Sequence, residues 1–147
     1  TYIQSGNVVF RHDEVHPAEL ETRISGKIKD TCHYEVPVIV LVMNEMSRII
    51  ADNPFTKGTP KDVAYLHVTF LSAQPETGKY LTAKDGQNQG DEFSPGYKSI
   101  YLYCPNGYGK TKLTNSFFES KLKLQATTRN WRTANELLRI AEKLNSQ

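Results

Sequence analysis

The residues whose types and spacing come nearest to chemistry are Cys104-Pro-Asn-Gly-Tyr-Gly-Lys-Thr111. Gly109, Lys110 and Thr111 match the end of a G-x-x-x-x-G-K-[ST] phosphate loop, in which backbone amides cradle phosphates, the lysine reaches them and the hydroxyl binds magnesium. Cys104 stands where that motif needs its first glycine, so the loop fails as a nucleotide-hydrolysis signature. A dinucleotide fingerprint fails too, because Gly107-x-Gly109 is followed by Lys112 where a third glycine belongs. A weaker reading survives. Asn106, Gly107, Gly109, Lys110 and Lys112, placed before a helix N-terminus, form a candidate anion site, because free N–H groups and the helix dipole attract negative charge. The structural alternative is a glycine-rich turn with solvated lysines.

Thr127-Thr-Arg-Asn-Trp-Arg-Thr133 is the second candidate. Arg129 has the fork geometry to grip a carboxylate or phosphate. Asn130 is placed to cap a helix. Trp131 offers a ring for stacking, although a tryptophan at a helix start more often packs against its neighbours. Ser5 and Asn7, in a compact turn, are polar enough to join a ligand site, but turn chemistry explains them as well. Cys104 has no histidine near it in sequence to activate it as a nucleophile, and a buried thiol is the commoner outcome. His12 and His16 lie four apart, yet Asp13 occupies the place of the glutamate in H-E-x-x-H and Pro17 starts the helix too late, so no metal site is expected. No cofactor is expected either.

Composition bounds the possibilities. The chain has 147 residues, 38% hydrophobic and 10% aromatic, as a folded globular protein requires. No apolar run approaches the roughly 20 residues that cross a bilayer. Two cysteines, Cys32 and Cys104, make no disulfide framework, so a reduced, cytoplasmic protein is expected. Residues 1–107 carry 10 Lys/Arg against 13 Asp/Glu, whereas residues 108–147 carry 8 against 3. The positive excess therefore falls on the two candidate stretches, where an anionic partner or a solvated helical face would each account for it.

The elements that must position these residues follow from periodicity. Thr1–Phe10 reads as a hairpin turning at Ser5-Gly6-Asn7. Leu20, Ile24 and Ile28 mark a helix from Pro17 to about Thr31. Val36–Val42 is an apolar run of strand length, and Asn44 is placed to cap a helix through Ala51. Residues 56–62 are rich in turn formers and read as a linker. Beyond it, strands are expected over Ala64–Leu71, Asp91–Ser94, Lys98–Cys104 and Leu124–Thr128, the middle two joined across Pro95-Gly96. Helices are expected over Pro75–Ala83, Lys112–Leu122 and Trp131–Leu144.

That order is βαββαβ with a terminal helix, the split βαβ of a ferredoxin-like plait. Hairpin, helix, strand and helix in residues 1–55 match a plait lacking its first strand and helix. The expected fold class is therefore α+β: two ferredoxin-like (α-β plait) subdomains in tandem, 1–55 and 63–147, the first truncated, plus a C-terminal helix. A segment is accordingly expected before Thr1.

The opening T-Y-I-Q-S-G-N-V-V-F, Asn53-Pro54-Phe55, G-Y-G-K-T-K-L-T-N and A-T-T-R-N-W-R-T together resemble the bacterial domain-of-unknown-function family 1697. The resemblance implies two plait-like subdomains in tandem. It also implies a preceding strand and helix with an R-G-I-N-V-G-like segment that this chain lacks. It implies no activity.

The functional expectation is a module binding a small anionic or nucleotide-like ligand. Nucleic acid is a weaker alternative, for which Tyr101 and Tyr103 would share one strand face. A small-molecule enzyme with a site between the subdomains and a noncatalytic interaction domain are the others. No membrane partner is expected, and the oligomeric state is open.

Overall fold

Leu66–Leu71 reads L-H-V-T-F-L, an alternation that only a strand can use on both sides. In the computed structural model, which describes residues 6–13, 16–76 and 90–147, this segment is β1. It lies inside a four-stranded antiparallel sheet with β2 (Glu92–Gly96), β3 (Ser99–Tyr103) and β4 (Ala126–Asn130) in the order β2-β3-β1-β4. The register pairs Val68 with Tyr101 on one side and Arg129 on the other, and His67 with Leu102 and Asn130. Directly opposed residues share a face, so Leu66, Val68, Phe70, Tyr101, Tyr103, Thr127 and Arg129 lie on one side. His67, Thr69, Leu71, Ile100, Leu102, Ala126, Thr128 and Asn130 lie on the other.

Each face has its own core. On the His67 side, Leu71, Ile100, Leu102 and Cys104 pack with Leu113, Phe118 and Leu122; the last two belong to α3 (Asn115–Leu122). On the other side, Val68, Phe70 and Tyr101 pack with Met46 and Ile49 of α2 (Met43–Ala51) and Ala134 of α4 (Trp131–Asn145). Tyr101 is buried there, its Oη donating to the Ile49 carbonyl at 2.8 Å. Burying each such side chain contributes about 1.5–3 kcal/mol before entropy is counted. The fold is thus mixed α/β, with a sheet covered on both faces. The remaining helix among the described residues, α1 (Pro17–Cys32), buries only Leu20.

Several expectations need correction. Val36–Val42 forms no strand, and Val36 is exposed. A strand needs a backbone partner, and here the Val40 N–H donates to the Glu21 carboxylate of α1 at 2.9 Å. Helix α2 starts at Met43, not behind Asn44: the Glu45 carboxylate accepts the Val42 N–H at 3.2 Å. The β2–β3 turn falls at Tyr97-Lys98, with Lys98 at φ +45°, and Pro95-Gly96 belongs to the edge strand β2. Gly96 serves close packing rather than the turn, since a Cβ there would meet the Tyr101 ring at 2.5 Å. Glu45 secures this turn by accepting from Lys98 Nζ at 2.8 Å and Tyr97 Oη at 3.1 Å.

Helix α4 begins at Trp131 as expected, with Asn130 Oδ1 accepting the Thr133 N–H at 2.8 Å. The first half of the expected hairpin, residues 1–5, and most of the Pro75–Ala83 helix lie outside the described residues. Within the described part of that hairpin, Gly6 has φ +74°, Asn7 makes an isolated bridge, and Val8–Phe10 form no strand.

Candidate functional site

The glycine loop leaves β3 and makes a 3-10 turn, Tyr108–Lys110. Gly107 sits at φ +91°, which a side chain would strain. Its N–H donates to the Cys104 carbonyl at 3.0 Å, and those of Lys110 and Thr111 donate to Gly107 and Tyr108 at 3.2 Å each. These three amides therefore do not form the open cradle of a phosphate loop. Nor does the loop open directly into a helix. Thr114 Oγ1 accepts the Phe117 N–H at 3.2 Å and α3 starts at Asn115, because fully buried Leu113 pulls the intervening chain into the core. The helix dipole expected behind Lys112 acts three residues further on.

Beneath the loop, Thr111 Oγ1 donates to Asp91 Oδ2 at 2.6 Å and accepts from the Leu113 N–H at 3.1 Å, and both Asp91 and Thr111 are buried. The hydroxyl that a phosphate loop would give to magnesium is committed to a carboxylate. Cys104 is fully buried, and burial, aided by the nearby Asp91 charge, pushes its thiol up to about 11. It is a packing thiol, not a nucleophile. Asn106, Gly109, Lys110 and Lys112 are exposed and Gly107 is half-buried, so the rim of the loop is cationic while its base is pinned.

Sequence reasoning passed over His67. Its ring stacks on Tyr108 with centroids 4.9 Å apart and planes 23° from parallel. Burial lowers its pKa, although a hydrogen bond to the Tyr65 backbone works the other way, and Nδ1 is buried with no hydrogen-bond partner. On the same sheet face, Thr69 Oγ1 and Thr128 Oγ1 are 2.7 Å apart, and Thr128 Oγ1 donates to Asn115 Oδ1 at 2.6 Å. The signal was available: the period of two that buries Leu66, Val68 and Phe70 sends His67 and Thr69 to the opposite side together.

Arg129 belongs elsewhere. It lies on the Val68 face, across the sheet from Tyr108. Its Nε donates to Asn7 Oδ1 at 2.7 Å, and its Nη1 to Thr127 Oγ1 at 2.9 Å and the Thr128 carbonyl at 2.8 Å. Burial lowers its pKa. The structure thus brings Arg129 and Asn7 together and sets both apart from the glycine loop. Asn130 is used as a helix cap, and Trp131 is buried, which removes it as a stacking platform. Ser5 lies outside the described residues. Of the two tyrosines on β3, Tyr101 is covered by α2, and Tyr103 packs against Phe55 and Tyr65 with Lys61 Nζ 4.8 Å above its ring. The open aromatic sheet that RNA would need is therefore absent from this pair. No group of three or more metal-ligating side chains occurs among the described residues, and none of their helices is long and apolar enough to cross a membrane.

Fold and site define a mixed α/β protein with a four-stranded antiparallel sheet and no established chemistry. The chain belongs to the family described as Protein of unknown function (DUF1697), whose model matches residues 1–101. That match ends within β3, so the glycine loop and Arg129 lie beyond it. No curated protein and no solved structure matches the chain.

Proposed function

We propose that the protein binds a small anionic or nucleotide-like ligand at the rim of the glycine loop, through Asn106, Gly107, Gly109, Lys110 and Lys112. The observation that carries this reading is a cationic rim on an immobilised base. Asp91 holds Thr111 and His67 holds Tyr108, while Lys110 and Lys112 face solvent. Pre-ordering of this kind lowers the entropy cost of binding. Arg129 and Asn7, on the other side of the sheet, act as a tie between the N-terminal segment and β4 in this reading. Residues 63–147 are read as a ferredoxin-like plait, supported by the strand order β2-β3-β1-β4.

The test is a thermal-shift screen against phosphate, sugar phosphates and nucleotides, with Lys110→Ala and Lys112→Ala beside the parent chain. A ligand at 100 times its Kd adds about 2.7 kcal/mol, several degrees in a domain of this size. The expected result is a shift that both substitutions diminish. A screen with no shift, or a shift indifferent to both, overturns the reading.

A noncatalytic interaction domain is the second reading, favoured by Tyr34, 71% exposed, and Val36, 44% exposed, in the segment after α1.

A further inference from the structure

The glycine loop closes over His67 through one side chain. Tyr108 stands between Gly107, at φ +91°, and Gly109, where a Cβ would meet nothing within 4 Å. The chain on either side of the ring is therefore free of side-chain anchors, and Tyr108 meets the sheet by stacking on His67 and packing on the adjoining core.

The neighbours of His67 decide what protonation would do. Leu102 opposes it on β3 and Asn130 on β4, Cys104 follows two residues beyond Leu102 on the same face, and Tyr108 covers it. The titratable neighbours are Tyr108 and Cys104, whose thiol burial pushes up to about 11, with the Asp91 carboxylate on the Cys104 side engaged by Thr111. Nδ1 of the ring is buried with no hydrogen-bond partner. Neutral His67 leaves Nδ1 as an unused acceptor, a small cost. Protonated His67 would place an N–H at buried Nδ1 and a positive charge on a ring whose burial outweighs its Tyr65 hydrogen bond, a larger one. Movement of Tyr108 away from the ring would let water reach Nδ1 and remove that cost.

We propose that the Tyr108–His67 stack is an acid-released latch, in which proton uptake by His67 opens the glycine loop. The sign follows from linkage. The closed form resists the proton and the open form accepts it near the ordinary histidine value of about 6.5, so opening is promoted as pH falls below that value. The latch stands whether or not the loop binds an anion.

Two NMR measurements on the full chain test it without any ligand. The first follows the His67 ring, assigned by its loss in His67→Phe, through a pH titration. The parent midpoint is expected below about 6.5 and the Tyr108→Ala midpoint is expected to return toward it. Equal midpoints overturn the proposal. The second compares protection factors, corrected for intrinsic exchange, of the Gly107, Lys110 and Thr111 amides at neutral and acid pH. Protection in the parent is expected to fall by up to about tenfold per pH unit, the limit for one linked proton. His67→Phe, which keeps an aromatic face but cannot take a proton, is expected to hold its protection. Protection that stays constant in the parent, or falls equally in His67→Phe, overturns it.

Discussion

Helices α1 and α4 are nearly the same length, 16 and 15 residues, and both carry an apolar stripe. Helix α4 buries Trp131, Thr133 and Ala134, and packs Leu137 and Leu138 against the core it shares with α2 and the sheet. Helix α1 buries Leu20 alone and leaves Ile24 and Ile28 half-covered. The apolar run that follows it, Val36–Val42, likewise finds no strand to pair with among the described residues. Periodicity shows which side of a helix is ready to be buried. Whether that side is buried depends on what the rest of the chain brings to it. Stability in this molecule is accordingly concentrated in the sheet and its two cores.

The largest effect that sharpens this contrast comes from the α3 core. Phe118→Ala removes a fully buried ring and is expected to cost about 3–5 kcal/mol in chemical denaturation. A loss below about 1 kcal/mol would mean that this core is not where stability resides. Thr111→Val comes next. It leaves the buried Asp91 carboxylate without the hydroxyl that donates to it at 2.6 Å, at an expected cost of about 1–3 kcal/mol. The same variant should loosen the glycine loop, seen as faster exchange of the Lys110 amide.

Glu45→Gln, at the joint between α2 and the β2–β3 turn, is expected to cost about 1 kcal/mol, because the Glu45–Lys98 pair is only partly buried. Burial opposes the charged carboxylate, but hydrogen bonds from Lys98, the Val42 N–H and Tyr97, with the Lys98 charge, outweigh it and lower its pKa. The contribution is therefore fully present above the ordinary glutamate value and disappears as pH falls through the lower folded value. Parent and variant stabilities should converge in acid. A constant gap down to the lowest pH at which the fold persists would remove Glu45 from this role. The smallest effect is expected from Ile24→Ala on α1, below about 1 kcal/mol, since its side chain is only partly buried. A cost near that of Phe118→Ala would erase the contrast between the two regions.

Much of the architecture was readable from the residues. Alternation located β1 and β3, apolar spacing located α1 and α4, and Asn130 announced its helix through the one short side chain able to reach the Thr133 N–H. The misplacements share one cause. Asn44 lost its capping role to Glu45, Pro95-Gly96 lost the turn to Tyr97-Lys98, and the start of α3 moved from Lys112 to Asn115. In each case a local preference met a contact from elsewhere in the chain: Glu45 with the β2–β3 turn, Gly96 with the Tyr101 ring, Leu113 with the core.

The candidate site was less legible than the fold. Sequence marked the glycine loop and Arg129 correctly as polar, cationic segments near the ends of β3 and β4, and it grouped them because they lie close along the chain. Strand geometry separates them, since Arg129 falls on the Val68 face and Tyr108 covers His67 on the other. The sequence by itself determined the order of the four strands and of α2, α3 and α4 among the described residues, because backbone periodicity and capping are local. Only the tertiary structure decided that Thr111 meets Asp91, that Tyr108 meets His67 and that Arg129 meets Asn7. Those pairings are set by register and by the face each strand position occupies, and a one-residue slip in either would have sent every side chain to the opposite side.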